Sequence, residues 1–184
     1  KCGIEVEILP GGPQVNNRAL MLAGKIDFHM GGNMQEAFDA RKEDIPVTVV
    51  AAMFQKEPQV IMTHPGKGLD KWSDLKKATL LLGDAGNNSF FKWMIAEFGF
   101  KPEQRQPYTF NPAPFIADPT KGHQGYVTSE PFAVETQGGF KPNIFLLADY
   151  GYKSYSTTVE TMQPTIDAKP EVVKCFVEGS ILGW

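Results

Sequence analysis

Residues 45–54, IPVTVVAAMF, most constrain what this chain can fold into, because an uncharged, β-branched run of that length is a buried strand. What precedes it sets the architecture. Ile26, Phe28 and Met30 alternate with Asp27 and His29, predicting a strand that ends at Gly31-Gly32. Asn33-Met34-Gln35-Glu36 has the cap-x-x-Glu form of a capping box, so a helix is expected from there to about Arg41. Strand, helix and strand at this spacing predict a parallel α/β sheet.

The pattern extends in both directions. Residues 4–9 (IEVEIL) alternate apolar and acidic residues like a half-buried strand, broken by Pro10-Gly11-Gly12-Pro13. Residues 15–23 predict a short helix started by Asn16 or Asn17 and stopped at Gly24. Further strands are expected over 59–63, 77–82, 108–110, 125–128 and 143–148, with alternation again over 155–162. Phe90, Phe91, Met94, Ile95 and Phe98 share one helical face, stopped by Gly99. Pro131 and Pro170 open two more helices. The cycle occurs twice, around a loop at 64–68, and this predicts two α/β lobes.

Composition removes several function classes. A net charge of −3 with no Lys/Arg block gives no electrostatic footprint for nucleic acid. No apolar run is long enough to span a bilayer. Cys2 and Cys175 lie at opposite ends without a CxxC and are read as free or buried thiols, their pairing left open. The sequence starts KCGIEVEI without Met and stops at GSILGW within an amphipathic pattern, so it is read as an internal portion of a longer protein.

Ligands of open parallel sheets bind where the carboxyl ends of strands lead into helices. Three such junctions carry polar groups on small turns: 30–33 (MGGN), 83–89 (GDAGNNS) and 128–131 (TSEP). Each has an ordinary structural alternative. Asn33 can cap its helix, Asn88 or Ser89 can cap the next, and Glu130 suits a helix N-terminus. Capping does not account for Gly83-Asp84-Ala85-Gly86, which strips side chains from a turn. No arginine is adjacent in sequence to a junction, since Arg18, Arg41 and Arg105 lie elsewhere. An anion would therefore meet Asp84 and Glu130 without a cationic partner, and a ligand with amino or ring N–H donors is expected instead. No dinucleotide fingerprint, Walker loop, nucleophile elbow or metal-ligand spacing is present, so neither a cofactor nor a metal is expected. His29, His64 and His123 are read as isolated histidines.

The segments GIEVEILPGGPQVNN, LMLAGKIDFHMGGN, WSDLKKATLLLGDAGNNS, GYVTSEPFAVE and KPEVVKCFVEGSILGW, in this order, resemble periplasmic solute-binding proteins of the nitrate/sulfonate/taurine and thiamine-pyrimidine-precursor superfamily. The resemblance implies a type II periplasmic-binding fold, partial here, with mainly parallel sheets, a two-strand hinge and a cleft that closes on solute. Lobe I would comprise 1–65 and 156–184, and lobe II 66–155. The positions matching ligand-contacting loops are Gly32, Asn33, Asn87, Asn88, Ser89, Ser129 and Glu130, with Phe54 and Gln55 near the hinge. His29 replaces the small residue usual at its position.

The implied function is that of an extracytoplasmic, monomeric receptor of an ABC importer. It would capture a small nitrogenous or heterocyclic solute, thiamine-pyrimidine-precursor-like, for a membrane permease, without enzymatic activity. A sulfonate, taurine or nitrate receptor is the alternative ligand class. A fungal-type thiamine-pyrimidine-forming enzyme would carry a cysteine-dense run where residues 152–159 read YKSYSTTV. A transcription-regulator effector domain on the same fold is a third possibility.

Overall fold

The computed structural model describes residues 2–12 and 15–184, so Pro13 of the predicted break lies outside the described residues. In chain order the elements are α1 (Asn17–Leu22), β1 (Phe28–Asn33), α2 (Met34–Lys42), β2 (Val47–Phe54), β3 (Gln59–Thr63) and β4 (Thr79–Leu82). Then come α3 (Asp84–Gly86), a π turn (Asn87–Phe91), α4 (Lys92–Phe98), β5 (Arg105–Pro107), α5 (Ala113–Ile116) and β6 (Lys121–Tyr126). The chain ends with α6 (Glu130–Gly138), β7 (Asn143–Leu146), β8 (Ser156–Met162), α7 (Gln163–Ala168) and α8 (Pro170–Gly183). They divide into two compact units, Lys1–Gln55 with Ser154–Trp184, and Lys56–Lys153.

The first unit holds a three-stranded sheet in the order β1-β8-β2. β8 returns antiparallel to both neighbours and separates β1 from β2. The helical crossover therefore leaves β1 and β2 pointing the same way, as read from the sequence, but not adjacent. A small apolar core of Met21, Ala40 and Val47 lies against Ile26, Ile45 and Met162. Phe28 stacks on Phe176 of α8, centroids 4.0 Å apart.

Two sequence expectations change here. Cys2 and Cys175 are joined in a disulfide, their Cα atoms 6.1 Å apart, rather than remaining thiols. Residues 4–9 form no strand; Ile8 is 83% exposed and Val6 55%. Their alternation meets the side-chain requirement of a strand, but no described strand supplies the backbone partner that a strand needs.

The second unit holds a five-stranded mixed sheet, β5-β4-β6-β3-β7. β4 is parallel to β5 and β6, whereas β3 is antiparallel to β6 and β7. Parallel pairing is confined to β4 and its neighbours, which corrects the expectation of mainly parallel sheets. Because β3 pairs inside this sheet, the first unit ends at Gln55 rather than at 65. Successive side chains point to opposite faces of the sheet. Ile61, Leu80 and Leu82 accordingly pack with Phe90, Phe91, Met94 and Phe145, while Val60, Met62 and Leu81 pack with Phe115 and Val134. α4 stops at Gly99, in the left-handed conformation (φ 69°). The strand expected over 108–110 lies earlier, at β5, and that expected over 125–128 begins at Lys121. α7 has no sequence counterpart, since β8 turns directly into it at Pro164.

Candidate functional site

In the second unit, β4 continues through α3, the π turn and α4 to β5 on one side. β6 continues through α6 toward β7 on the other side. The parallel neighbours β4 and β6 are thus a topological switch point, where outgoing connections diverge and leave a crevice at the strand ends. The junctions 83–89 and 128–131 are the segments that follow these two strands, so the structure brings these two sets of candidate residues together. Gln124, near the end of β6, ties them by accepting the Gly83 N–H at 2.8 Å. A Cβ on Gly86 would lie 2.6 Å from the Gln124 Oε1 and 2.6 Å from the Phe90 ring, so this close approach needs glycine.

The local roles differ from those expected. The helix starts at Asp84 with Gly83 as its cap, so neither Asn88 nor Ser89 is a cap. Asn87, Asn88 and Ser89 lie within the π turn of a continuous helical segment. Ser89 is buried and its hydroxyl donates to the Ala85 carbonyl at 2.7 Å, whereas Asn88 is exposed and Asn87 half-buried. Arg105 of β5 forms an ion pair with Asp84, so the premise that no arginine reaches a junction fails. The partner comes from a neighbouring strand, which sequence proximity does not show. Glu130 turns back on its own junction and accepts the Tyr126 N–H at 2.7 Å through Oε2. Ser129 is exposed at the cap of α6 and makes no side-chain cap bond.

Two titratable groups beside this crevice were not selected from sequence. The Tyr108 phenol is pushed up to about 12 by burial and then by the charge of Glu130, so it remains a donor at neutral pH. His123 has no exposed surface and lies edge-on to Tyr108 at 4.2 Å. Burial lowers it to about 4. The Gln124 backbone beside it only partly offsets that fall, and neither ring nitrogen makes a well-formed hydrogen bond among the described residues.

In the first unit, Asn33 and Phe54 are both in register with Ser156, from opposite sides of β8. The structure thus also brings these candidates to one end of a sheet. Asn33 Oδ1 caps α2, accepting the Gln35 N–H at 3.0 Å and the Glu36 N–H at 3.3 Å. Phe54 lies edge-on to Trp184 at 5.3 Å, and exposed Gln55 donates to the Ala52 carbonyl. Gly32 has φ 63°, and Thr157 on the neighbouring β8 has φ 49°. A β-branched residue in the left-handed region is strained by roughly 1–3 kcal/mol, and strain of that size concentrates at ligand sites.

Beneath this turn lies a charged cluster. Glu160, with no exposed surface, accepts both hydrogen bonds of Arg18 Nη2, at 2.9 and 3.1 Å. Burial alone would raise the Glu160 carboxyl, but the neighbouring His29 and the hydrogen bonds and charge of Arg18 outweigh it and hold it below the usual range. His29 Nδ1 stands 3.7 Å from Glu160 Oε2, at ion-pair distance but beyond a good hydrogen bond. Among the described residues no group of three or more His, Cys, Asp or Glu could hold a metal ion. No helix among them is long and apolar enough to cross a membrane.

This two-unit α/β architecture is that of type II periplasmic-binding proteins. The chain belongs to the NMT1/THI5-like family, which it matches along residues 1–184. A comparison with curated protein sequences gives no match. Among solved structures, the chain is similar to a histidine-bound ABC uptake transporter substrate-binding protein from Streptococcus pneumoniae. The TM-score is 0.67 at 21% identity, covering 96% of this chain and 71% of that one. It is also similar to the periplasmic aliphatic sulphonate-binding protein SsuA of Escherichia coli, with a TM-score of 0.62 at 15% identity over 94% of this chain and 54% of that one. A choline-bound ABC-transporter choline-binding protein gives a TM-score of 0.55 at 14% identity, over 85% and 61%. The chain therefore spans about half to seven-tenths of the length of these structures. Their ligands differ in charge and shape, so the fold alone does not select a solute.

Proposed function

We propose that this protein is the solute-binding receptor of an ABC importer, acting outside the cytoplasm as a monomer and not as an enzyme. It captures a small nitrogenous or heterocyclic solute, of the thiamine-pyrimidine-precursor kind, and presents it to a membrane permease. The observation that carries this reading is the β4/β6 switch point, where a helix start stripped of side chains and two asparagines follow one strand and Ser129-Glu130 follow its neighbour. Gly32, Asn33, Phe54 and Gln55 are the counterpart set in the first unit. Binding free energy stabilises the loaded form, which the permease then recognises. The Cys2–Cys175 bond supports an oxidising, extracytoplasmic location, because such bonds persist there.

One observation favours the alternative ligand class. With Arg105 paired to Asp84, a sulfonate, taurine or nitrate anion at the start of α3 would no longer meet an uncompensated carboxylate. The enzyme reading is the weaker one, since residues 152–159 carry no cysteine and the two cysteines of the chain bond each other.

Thermal shift against an aminopyrimidine, an alkyl sulfonate, taurine and nitrate tests the choice. A true solute at a hundred times its Kd adds about 2.7 kcal/mol of stability. Stabilisation by the aminopyrimidine that Glu130→Ala abolishes is the expected result. Stabilisation by sulfonates alone, indifferent to Glu130→Ala, moves the protein to the anion class.

A further inference from the structure

The capping box read from Asn33-x-x-Glu36 is only half made. Asn33 caps α2, but the Glu36 carboxylate does not return to the Asn33 N–H and has no hydrogen-bond partner among the described residues. It lies instead against the Gly31-Gly32 turn, where a Cβ on Gly32 would stand 2.7 Å from Glu36 Oε2. Glycine at position 32 therefore keeps open the space that this carboxylate faces. His29 borders the same turn, its Nε2 3.2 Å from where a Gly31 Cβ would be. The His29 residue is 9% exposed; its Nδ1 faces Glu160 Oε2 at 3.7 Å without a hydrogen bond, and its Nε2 faces the turn.

We infer that Glu36 and His29, at the Gly31-Gly32 turn, form a subsite for a nitrogen donor of the solute, an amino or ring N–H group. This deepens the receptor reading and rests on it. The charges around the turn decide the ligand class. Arg18 is committed to Glu160 through two hydrogen bonds and to the Glu36 backbone carbonyl through Nη1 at 2.9 Å. Arg18 and Glu160 thus cancel, leaving the Glu36 carboxylate as the charge without a bonded counterpart. Burial, the largest influence, raises its pKa; Arg18 and His29 oppose that rise, and Glu160 and Asp39 add to it. A half-buried carboxylate of this kind gains most from an N–H donor, which supplies the hydrogen bond that the fold omits. Thr158 holds the turn itself, donating to the Gly31 carbonyl at 2.9 Å. Arg18, Glu160 and Thr158 are positioning residues; Glu36 and His29 are the contacts.

The test is calorimetric titration of the purified protein with 4-amino-5-hydroxymethyl-2-methylpyrimidine and with ethanesulfonate. The aminopyrimidine binds wild type, and Glu36→Gln weakens it about tenfold or more, the weight of a charge-assisted hydrogen bond. Glu36→Asp, which withdraws the carboxylate but keeps the charge, gives an intermediate loss, and His29→Ala also weakens binding. Thermal midpoints recorded without probe separate loss of contact from loss of fold. Undiminished binding to folded Glu36→Gln overturns the subsite and leaves the receptor reading standing. Wild-type binding of ethanesulfonate alone overturns both the nitrogen-donor class and the subsite. Binding of neither probe counts against the receptor reading and the inference together.

Discussion

The two units solve the problem of stability by different means. The second surrounds its sheet with apolar side chains, and Phe90, Phe91, Phe115, Ile61 and Leu80 are all at most 2% exposed. The first has a core of few residues and places at its centre an ion pair, Arg18–Glu160, whose carboxylate is fully buried. Hydrophobic burial tolerates imperfect geometry, because it is non-directional. A buried ion pair is stable only while both partners and their hydrogen bonds are in place. The first unit is therefore the one in which a single polar substitution propagates to the turn that carries Gly32.

The contrast breaks most visibly at Arg18. Arg18→Met leaves the buried Glu160 carboxylate with only the Thr158 hydroxyl and the more distant His29, and is expected to destabilise the first unit by roughly 3 kcal/mol. The double variant Arg18→Met/Glu160→Met recovers most of that loss. Chemical denaturation followed by hydrogen exchange in β1, β2 and β8 is the check, and equal instability of the single and double variants would contradict it.

The second unit has its own polar weakness in His123, which acid exposes. Its pKa is depressed from 6.5 to about 4 in the folded state, so between these values the unfolded chain binds the proton and the folded chain does not. Stability contributed by neutral His123 is present above pH about 6.5 and is lost as pH falls toward about 4, on the order of 3 kcal/mol. Unfolding free energies across that window, with His123→Phe flattening the slope, measure it. A slope unchanged in the variant assigns the effect elsewhere.

The smallest effect sharpens the same division. Reducing Cys2–Cys175 is expected to lower the stability of the first unit by about 2 kcal/mol and to leave exchange in β3–β7 untouched. Loss of protection in both units would show that they do not unfold separately.

Local signals in the sequence carried through, and non-local ones did not. Asn16, Asn33, Gly99 and Pro131 act within a turn of where they stand, so helix starts and stops were readable. The strand expected at 59–63 and the one read from alternation at 155–162 hold, but the sequence did not show that β8 lies between β1 and β2, which depends on a return from more than a hundred residues away. IEVEIL shows the converse, a strand pattern without a strand. At the candidate site, the junctions after β4 and β6 were legible from their small polar residues. The Arg105–Asp84 pair, the half-made capping box at Glu36 and the burial of His123 were not, because each is set by a neighbour that only the fold supplies.

The π turn at Asn87–Phe91 has a consequence for how the β4 junction is aimed. A π turn holds one residue more than the α-helical turn it replaces. Each residue of an α-helix advances about 100° around the axis. Deleting one residue there, while Met94 and Phe91 keep their seats in the core, would restore α-helical winding and swing Asp84 and Ala85 about a quarter turn away from Gln124. The direction in which this helix start faces is thus set by residue count rather than by side-chain chemistry, and it is the feature a single-codon deletion would reset.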